Sequence, residues 1–140
     1  MFRKLSTIRE LASLHRDEAG AAMVEIALSI LIVLTVIFMT IELTSAVYTY
    51  VVIADAANEG VRYAIVHSGD TSGTVSTVKT YAAFSIHDVS KISVSVSYPD
   101  GSAVPPNRVA LTVTYNYVPY LNFMTNPPIM HAYAVSRLVN

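Results

Sequence analysis

The sequence predicts an α+β protein in which one long N-terminal helix packs on a short helix and a small antiparallel β-sheet. Three observations support this prediction: an uncharged run of sixteen residues at 26–41, apolar residues at helical spacing after it, and alternation of apolar and polar residues in the second half of the chain. A length of 140 residues allows one domain with an appendage.

The composition excludes several classes of protein. Charged residues make up 14 % of the chain, whereas a soluble domain usually carries about 25 %. The formal net charge is −1 and the basic residues are not clustered, which argues against a nucleic-acid partner because phosphate binding needs clustered Lys and Arg. The absence of cysteine excludes a disulfide framework, a thiolate metal site and a cysteine nucleophile.

The apolar run at 26–41 is predicted to be the membrane-spanning half of a helix from about Ala19 to about His67. Sixteen helical residues cover about 24 Å, and the residues that follow lengthen the segment beyond the roughly 30 Å of a hydrocarbon core, with Glu42 as a single charge. Four basic residues precede the run, which favours a cytoplasmic N-terminus. In the second half, one stripe is expected to face a packed domain: Val47, Val51, Ala54, Asn58, Val61 and Ile65.

Local patterns predict the elements of the rest of the chain. Gly-rich and Ser-rich segments indicate loops, apolar residues at threes and fours indicate a helix, and strict alternation indicates half-buried strands. A third strand is expected because an isolated hairpin would be barely stable. The predicted elements are a loop at 68–73, a helix at 75–86, an antiparallel hairpin of strands at 92–98 and 109–117, an irregular segment at 119–128 and a third strand at 130–138.

The small residues that mark a secretory cleavage site normally follow the apolar core, but here they precede it. Residues 19–22 are Ala-Gly-Ala-Ala, and a lone carboxylate, Glu25, follows just inside the apolar segment. A cut within this cluster would remove a cytoplasmic leader and leave the hydrophobic helix on the mature protein.

Two segments carry a family resemblance. Residues 17–28, DEAGAAMVEIAL, resemble the processing site of prepilins, in which a membrane aspartyl peptidase cuts after Gly and a Glu is fifth in the mature chain. With Ala21 as the first mature residue, Glu25 is the fifth. The form G-A-A-x-V-E-x-A-L is similar to that of the TadE-like minor pilins, or pseudopilins, of tight-adherence (Tad, Flp) pilus systems. Residues 54–64, ADAANEGVRYA, resemble the second hallmark of that family, an Ala-rich stretch ending in Arg-Tyr-Ala.

The resemblance implies a pilin-like fold with a cytoplasmic leader at 1–20, a transmembrane part of the helix at 21–44 and an exported α+β domain at 45–140. It also implies cleavage between Gly20 and Ala21 by a prepilin peptidase. The expected location is the cytoplasmic membrane, with the C-terminal domain outside it, and later the pilus. The expected partners are that peptidase, other pilin or pseudopilin subunits, the pilus assembly platform and the lipid bilayer.

Glu25 is the candidate assembly residue. A carboxylate that enters the bilayer costs a few kcal/mol unless it is paired, so intramembrane carboxylates are functional by default. The resemblance supplies the partner, which is the free N-terminal amine of a neighbouring subunit. The alternative is that Glu25 lies shallow enough for water and headgroups to solvate it.

Three further features allow both a structural and a functional interpretation. Glu42 is either an interfacial residue or a second pairing site in an assembly. Glu59 and Arg62 are three residues apart on one helix, so an ion pair is available, and a structural role of Arg62 against the sheet is the other possibility. The tyrosine cluster at 115–120 is a candidate binding surface, with ordinary strand packing as the alternative.

We expect no enzymatic activity, cofactor, metal or small-molecule substrate. The four histidines lack metal-ligand spacing, and neither a Gly-x-Ser-x-Gly motif nor a phosphate-cradling glycine loop is found, which disfavours a membrane-tethered hydrolase. The resemblance implies a structural subunit needed for pilus assembly. The alternative is an uncleaved, single-pass, membrane-anchored binding module, and the two hypotheses differ in whether the leader is removed.

Overall fold

The protein folds into helices and one small sheet that fall into two compact units, Met1–Ile41 and Glu42–Asn140. The computed structural model describes residues 2–86, 88–121 and 126–139, and it describes side chains from Gly20 onwards. The elements are α1 (Phe2–Val66), α2 (Thr71–Ala83), a short 3₁₀ helix (Val89–Lys91), β1 (Ile92–Ser97), β2 (Arg108–Asn116) and β3 (Ile129–Arg137). The predicted α+β class is therefore confirmed.

The first unit is the N-terminal part of α1. The helix begins at Phe2, whereas the sequence suggested a start near Ala19. Residues 2–19 contain neither Gly nor Pro and are rich in Leu, Arg, Glu and Ala, so nothing in them interrupts the helix. Every residue from Gly20 to Ile41 is exposed within the chain. The helix is long and apolar enough over Gly20–Val66 to cross a membrane.

The second unit contains a three-stranded antiparallel sheet in the order β1-β2-β3. In the register, Val113 of β2 lies between Val94 of β1 and Ala132 of β3. This alignment places the apolar residues of all three strands on one face, as alternation predicts. The third strand is confirmed. Of the segment expected to be irregular, residues 122–125 lie outside the described residues, and residues 119–121 and 126–128 form neither helix nor strand.

The core lies between the apolar face of the sheet and one face of α1 and α2. Its members on α1 are mostly small: Val52, Ile53, Ala56, Ala57, Val61 and Ala64. The stripe predicted from the sequence was wrong in part, because Val47 and Val51 are 56 % and 49 % exposed. Both candidate faces of this helix segment are apolar, and the sheet packs on the one whose small side chains permit a closer approach.

Gly60 shows how close this approach is. A Cβ atom at this position would lie 2.7 Å from Cδ2 of Leu111 on β2, and it would overlap the side chain of Val78 on α2. Val78 and Leu111 are both fully buried. Glycine therefore allows α1 to contact the second helix and the central strand at one point.

Helix α2 begins earlier than its apolar spacing suggested. Thr71 is its first residue, and Asp70 is its N-cap, with the Asp70 carboxylate accepting a hydrogen bond from the backbone N–H of Gly73 at 2.9 Å. Residues 71–73 thus belong to the helix rather than to the predicted loop. An Asp cap satisfies one of the N–H groups that have no partner within the helix, so a Gly-rich and Ser-rich segment can start a helix.

An ion pair closes the connection between β1 and β2. The Asp100 carboxylate accepts hydrogen bonds from the Arg108 guanidinium, with Nη2 to Oδ1 at 2.7 Å, and from the Arg108 backbone N–H at 2.8 Å. Gly101, at φ +94°, provides the left-handed residue of the turn that follows Asp100. The hydrogen bonds from Arg108 lower the pKa of Asp100 from 3.8 to about 2.

This pKa shift predicts an acid-sensitive hairpin. A carboxyl group whose pKa is lowered in the folded state stabilises the fold at pH values above its unfolded pKa, and that stabilisation is lost as the pH falls from about 4 towards 2. Asp100→Asn should therefore lower the unfolding midpoint of the full chain in detergent at pH 6. The difference from wild type should shrink between pH 4 and 2. Thermal unfolding followed by circular dichroism measures both, and parallel pH profiles would contradict the assignment.

Candidate functional site

The sequence-predicted processing and assembly residues lie one after another on α1. Gly20, Ala21 and Glu25 are helical and exposed in the first unit. Ala21 and Glu25 are four residues apart, so their side chains share one face of the helix. Apart from the backbone of its own helix turn, no atom of the described residues lies within 4 Å of the position that a Cβ would take at Gly20. The structure thus gives these residues no partner within the described chain that would explain their identity by packing.

Hydroxyl side chains in the apolar run bond to their own helix. Ser29 donates to the Glu25 carbonyl oxygen at 2.9 Å, and Thr40 donates to the Val36 carbonyl oxygen at 2.8 Å. Such bonds to the carbonyl four residues earlier satisfy a hydroxyl without a neighbouring helix. The Glu25 carboxylate is the group in this segment whose charge demands a partner from outside the helix or solvation at its end.

The Arg-Tyr-Ala segment has divided roles. Arg62 is exposed, and its Nη1 atom lies 3.6 Å from Oε2 of Glu59. The structure brings these two residues together on the surface and does not pack Arg62 against the sheet. Ala64, by contrast, is buried in the core. An exposed ion pair contributes little to the free energy of unfolding. The residues of this segment that stabilise the fold are therefore its tyrosine and its alanine.

Tyr63 connects α1 to the start of α2. Its hydroxyl donates to Oδ2 of Asp70 at 2.9 Å, and its ring stacks on His67 with the ring centres 4.1 Å apart. The hydrogen bond to the Asp70 carboxylate raises the pKa of Tyr63, while the backbone N–H of Gly73 is the main cause that lowers the pKa of Asp70. A Cβ at Gly73 would lie 2.5 Å from the Tyr63 hydroxyl oxygen, so glycine leaves room for this contact.

Glu42 is a buried carboxyl group of the second unit, with 7 % of its surface exposed. Oε1 accepts a hydrogen bond from the Tyr117 hydroxyl at 2.7 Å, and Oε2 accepts one from the backbone N–H of Leu121 at 3.2 Å. Burial is the main cause that raises the pKa of Tyr117, which keeps its hydroxyl protonated and able to donate. Glu42 is therefore a structural acceptor that holds the chain after β2.

The tyrosines of the cluster at 115–120 lie in different environments. Tyr115 and Tyr117 are buried in the core, whereas Tyr120 is 79 % exposed. An open cavity of about 440 Å³ lies beside them, lined by Ser45, Thr49, Tyr115, Tyr117, Val118, Pro119 and Tyr120. The strand-packing interpretation thus holds for the two tyrosines in the alternating pattern, and the surface interpretation is left with Tyr120.

Glu42 and Tyr117 form a buried hydrogen-bonded pair that sequence reasoning missed. They are 75 residues apart, so no local motif joins them. Two features of the sequence could have indicated the pair: Glu42 is a single carboxylate at the end of an apolar run, and Tyr117 is at an inward position of the predicted strand. Among the residues that the structure describes, no group of three His, Cys, Asp or Glu side chains is arranged to hold a metal ion.

The buried carboxylate predicts a measurable loss of stability. Glu42→Gln keeps the size of the side chain, but its amide has only one oxygen. If that oxygen accepts from the N–H of Leu121, the amide NH₂ group faces the Tyr117 hydroxyl, whose proton then loses its acceptor. Leaving one buried donor unpaired should cost about 1–3 kcal/mol in the free energy of unfolding, measured by denaturant titration of the full chain in detergent.

Asp55→Asn is the matched control for this substitution. Asp55 is an exposed carboxylate on the same helix, and its replacement should change the free energy of unfolding by no more than about 0.5 kcal/mol. A double-mutant cycle with Tyr117→Phe should reveal coupling between the two side chains. Equal, small effects of the changes at 42 and 55 would contradict a structural role of Glu42.

Comparison with known proteins gives one match. Residues 20–62 match the family model described as "TadE-like protein". No curated protein and no solved structure matches the chain significantly. The matched segment starts at Gly20, contains Glu25 and the apolar run, and ends at Arg62. Proteins of this family are structural and pilin-like rather than enzymes, and they interact with other pilus components.

The family recognition made from two sequence segments is thereby confirmed, and the pilin-like α+β fold agrees with it. The long apolar helix is compatible with a single-pass membrane anchor. Residues 20–62, with their hydrophobic helix, are thus similar to TadE-like proteins, and this match supports a TadE-like protein of the Tad pilus system.

Proposed function

We propose that this protein is a minor pilin, or pseudopilin, which a prepilin peptidase cuts after Gly20 and which is needed to assemble a Tad-type pilus. The observation that carries the proposal is the position of the family match. It begins at Gly20 and includes Glu25 and the whole apolar run, and it stops before the sheet. The similarity is thus concentrated on the residues that processing and assembly would use.

The proposed membrane segment is 21–44, with the leader at 1–20 in the cytoplasm and the domain at 45–140 outside. Between Gly20 and Ile41 every side chain is exposed within the chain, and the residues at 26–41 carry no charge. Such a surface is stable in lipid and unfavourable in water. The leader has a net charge of +1 and holds four basic residues, which favours its retention on the cytoplasmic side.

Gly20 suits a cleavage site that must open from a helix. Glycine in a helix interior is about 1 kcal/mol less favourable than alanine, so the helix unwinds there at lower cost. A side chain at this position would meet nothing within 4 Å, so the fold itself does not need glycine. A peptidase that holds the backbone extended would need it, because glycine has no side chain to obstruct that conformation.

Replacing Gly20 should block processing. In cells that contain the cognate peptidase, wild-type protein should begin at Ala21, and Gly20→Val should be heavier by the leader of residues 1–20. The valine side chain would obstruct the extended backbone in the enzyme without disturbing any packing in the chain. Intact mass and N-terminal sequencing of membrane-extracted protein measure the difference.

Two comparisons make the processing test decisive. Gly20→Ala, with a smaller side chain, should be cut more than Gly20→Val, and wild type in cells without the peptidase should keep its leader. A native N-terminus elsewhere, or equal masses of wild type and Gly20→Val, would contradict the proposal. An intact leader in wild type under all conditions would favour the uncleaved membrane-anchored binding module.

Glu25 is proposed to pair with the free amine of Ala21 on a neighbouring subunit. After cleavage each chain carries a positive charge at the start of its apolar helix, and the sequence supplies no acidic side chain from 26 to 41 that could compensate it. Two opposite charges that enter lipid together cost much less than either one alone. Exposure of Glu25 within the single chain leaves its carboxylate accessible to such a partner.

Glu25→Gln should reduce assembly while leaving cleavage intact. The amide retains size and hydrogen bonding but removes the charge, so the incoming amine loses its counter-charge. Tagged wild-type and variant proteins, expressed at matched levels, should differ in the recovery of other pilus components, and their N-termini should be the same. We expect a reduction of about tenfold, which corresponds to roughly 1.4 kcal/mol.

The control for Glu25 is Glu59→Gln, the same chemical change on the same helix. Glu59 pairs with Arg62 on the surface of the second unit, so its loss should leave co-purification unchanged. Equal recovery of partners with wild type and Glu25→Gln would show that Glu25 is a shallow carboxylate solvated by water and headgroups.

A further inference from the structure

The segment that follows β2 is tied at both ends to one carboxylate. Glu42 accepts from the Tyr117 hydroxyl at 2.7 Å and from the Leu121 N–H at 3.2 Å. We refer to residues 117–121 as the 117–121 turn. Between its two fixed ends, Val118 and Tyr120 are 45 % and 79 % exposed.

The chain itself fixes where this turn lies along α1. Glu42 directly follows Ile41, which is the last residue of the uncharged run. One helical residue advances the axis by 1.5 Å, so Glu42 lies within one turn of the end of that run. Because the 117–121 turn bonds directly to Glu42, it lies at the end of the second unit where its part of α1 begins.

The hairpin connection at 98–107 lies at the opposite end of the sheet. It joins β1 and β2 beyond the pair Ser97 and Ala110, whereas Tyr117 follows the last residue of β2. Nine residues of strand separate the two ends by roughly 30 Å. The far end therefore offers an internal reference position on the same domain, and Val104 in the connection is 59 % exposed there.

The chemistry of the turn fits the boundary between lipid and water. No residue from Val109 to Leu121 is charged. Tyrosine combines an apolar ring with a hydroxyl and is enriched at membrane interfaces, where the ring lies among acyl chains and the hydroxyl reaches the headgroups. Leu43, on α1 next to Glu42, is also 68 % exposed, so the apolar surface continues onto the helix.

We propose that Val118 and Tyr120 enter the headgroup region of the bilayer, so that the exported domain contacts the membrane at a second point beside its helix. This inference rests on the proposed membrane placement of residues 21–44. Lipid is favoured over a neighbouring subunit because the turn is uncharged and bonds to Glu42, the residue that directly follows the uncharged run. Glu42 then has a positioning role, since it bonds both ends of the turn.

The absence of tryptophan from the sequence permits a direct test. Tyr120→Trp gives the full chain a single indole in the turn, and Val104→Trp gives one at the far end. Each protein is reconstituted into phosphatidylcholine and phosphatidylglycerol vesicles, with or without lipids brominated near the glycerol end of the acyl chains. The indole in the turn should be quenched at least about twofold more strongly than the indole at the far end, because only an interfacial ring reaches those carbons.

A second variant and an aqueous quencher complete the test. Val118→Trp replaces Tyr120→Trp if the latter does not show the wild-type unfolding midpoint, and it should be quenched in the same way. Iodide should quench the far-end indole of Val104→Trp more than the indole in the turn. Adding Glu42→Ala to Tyr120→Trp should reduce quenching by bromolipid, because neither the Tyr117 hydroxyl nor the Leu121 N–H then has its acceptor.

Each other outcome overturns the inference in a distinguishable way. If the protein floats with vesicles but bromolipid quenches the indoles of Tyr120→Trp and Val104→Trp equally, the domain has no second membrane contact. If the indole in the turn is shielded from iodide but is not reached by bromolipid, the turn contacts protein instead of lipid. If the protein does not float with vesicles, the proposed membrane anchor itself is wrong.

Discussion

The change of surroundings along α1 between residues 41 and 42 is the constraint on which the rest of the structure depends. Before this point all described side chains from Gly20 are exposed within the chain, and after it burial follows the helical period. The backbone hydrogen bonds of the helix continue through the change. A helix can satisfy its own peptide groups in lipid and beside a sheet alike, so one element serves both units. Only the side chains have to differ, and Glu42 is the first of them to be buried.

The second unit packs on this helix through small residues. Ala56, Ala57 and Gly60 bring α1 close to β2, and a side chain at Gly60 would collide with Leu111 and Val78. Each small side chain removes little apolar surface from water. The close approach of the two surfaces compensates for this by adding dispersion contacts between them. The exposed faces of the same helix remain apolar at Val47 and Val51. Periodicity alone therefore could not identify the buried face of α1, since two stripes of residues had the right spacing. The sheet packs on the stripe whose side chains fit its surface.

Much of the fold could be predicted because its signals are local. Alternation placed the strands, and the uncharged run at 26–41 identified the apolar helix. The start of α2 was missed although its signal was also local, because Asp70 at the head of a Gly-rich and Ser-rich segment is equally typical of a turn. The contact between Glu42 and Tyr117 could not be predicted, since 75 residues separate them and only the completed sheet brings the hydroxyl to the carboxylate. Sequence patterns specify periodicity and turns, whereas a buried polar pair depends on the assembled tertiary structure.

The two units differ in whether their polar chemistry is complete within one chain. In the described part of the second unit, Glu42, Asp70 and Asp100 each accept hydrogen bonds from named donors, and no buried side-chain polar atom among the described residues lacks a partner. In the first unit the Glu25 carboxylate is exposed at the start of a helix whose apolar side chains face away from the chain on all sides. Such a helix gains its stability from surroundings outside the molecule, because neither the charge nor the apolar surface is satisfied internally. The family match covers this exposed apolar segment and the helix face that supports the domain, and it ends before the sheet, whose interactions are internal.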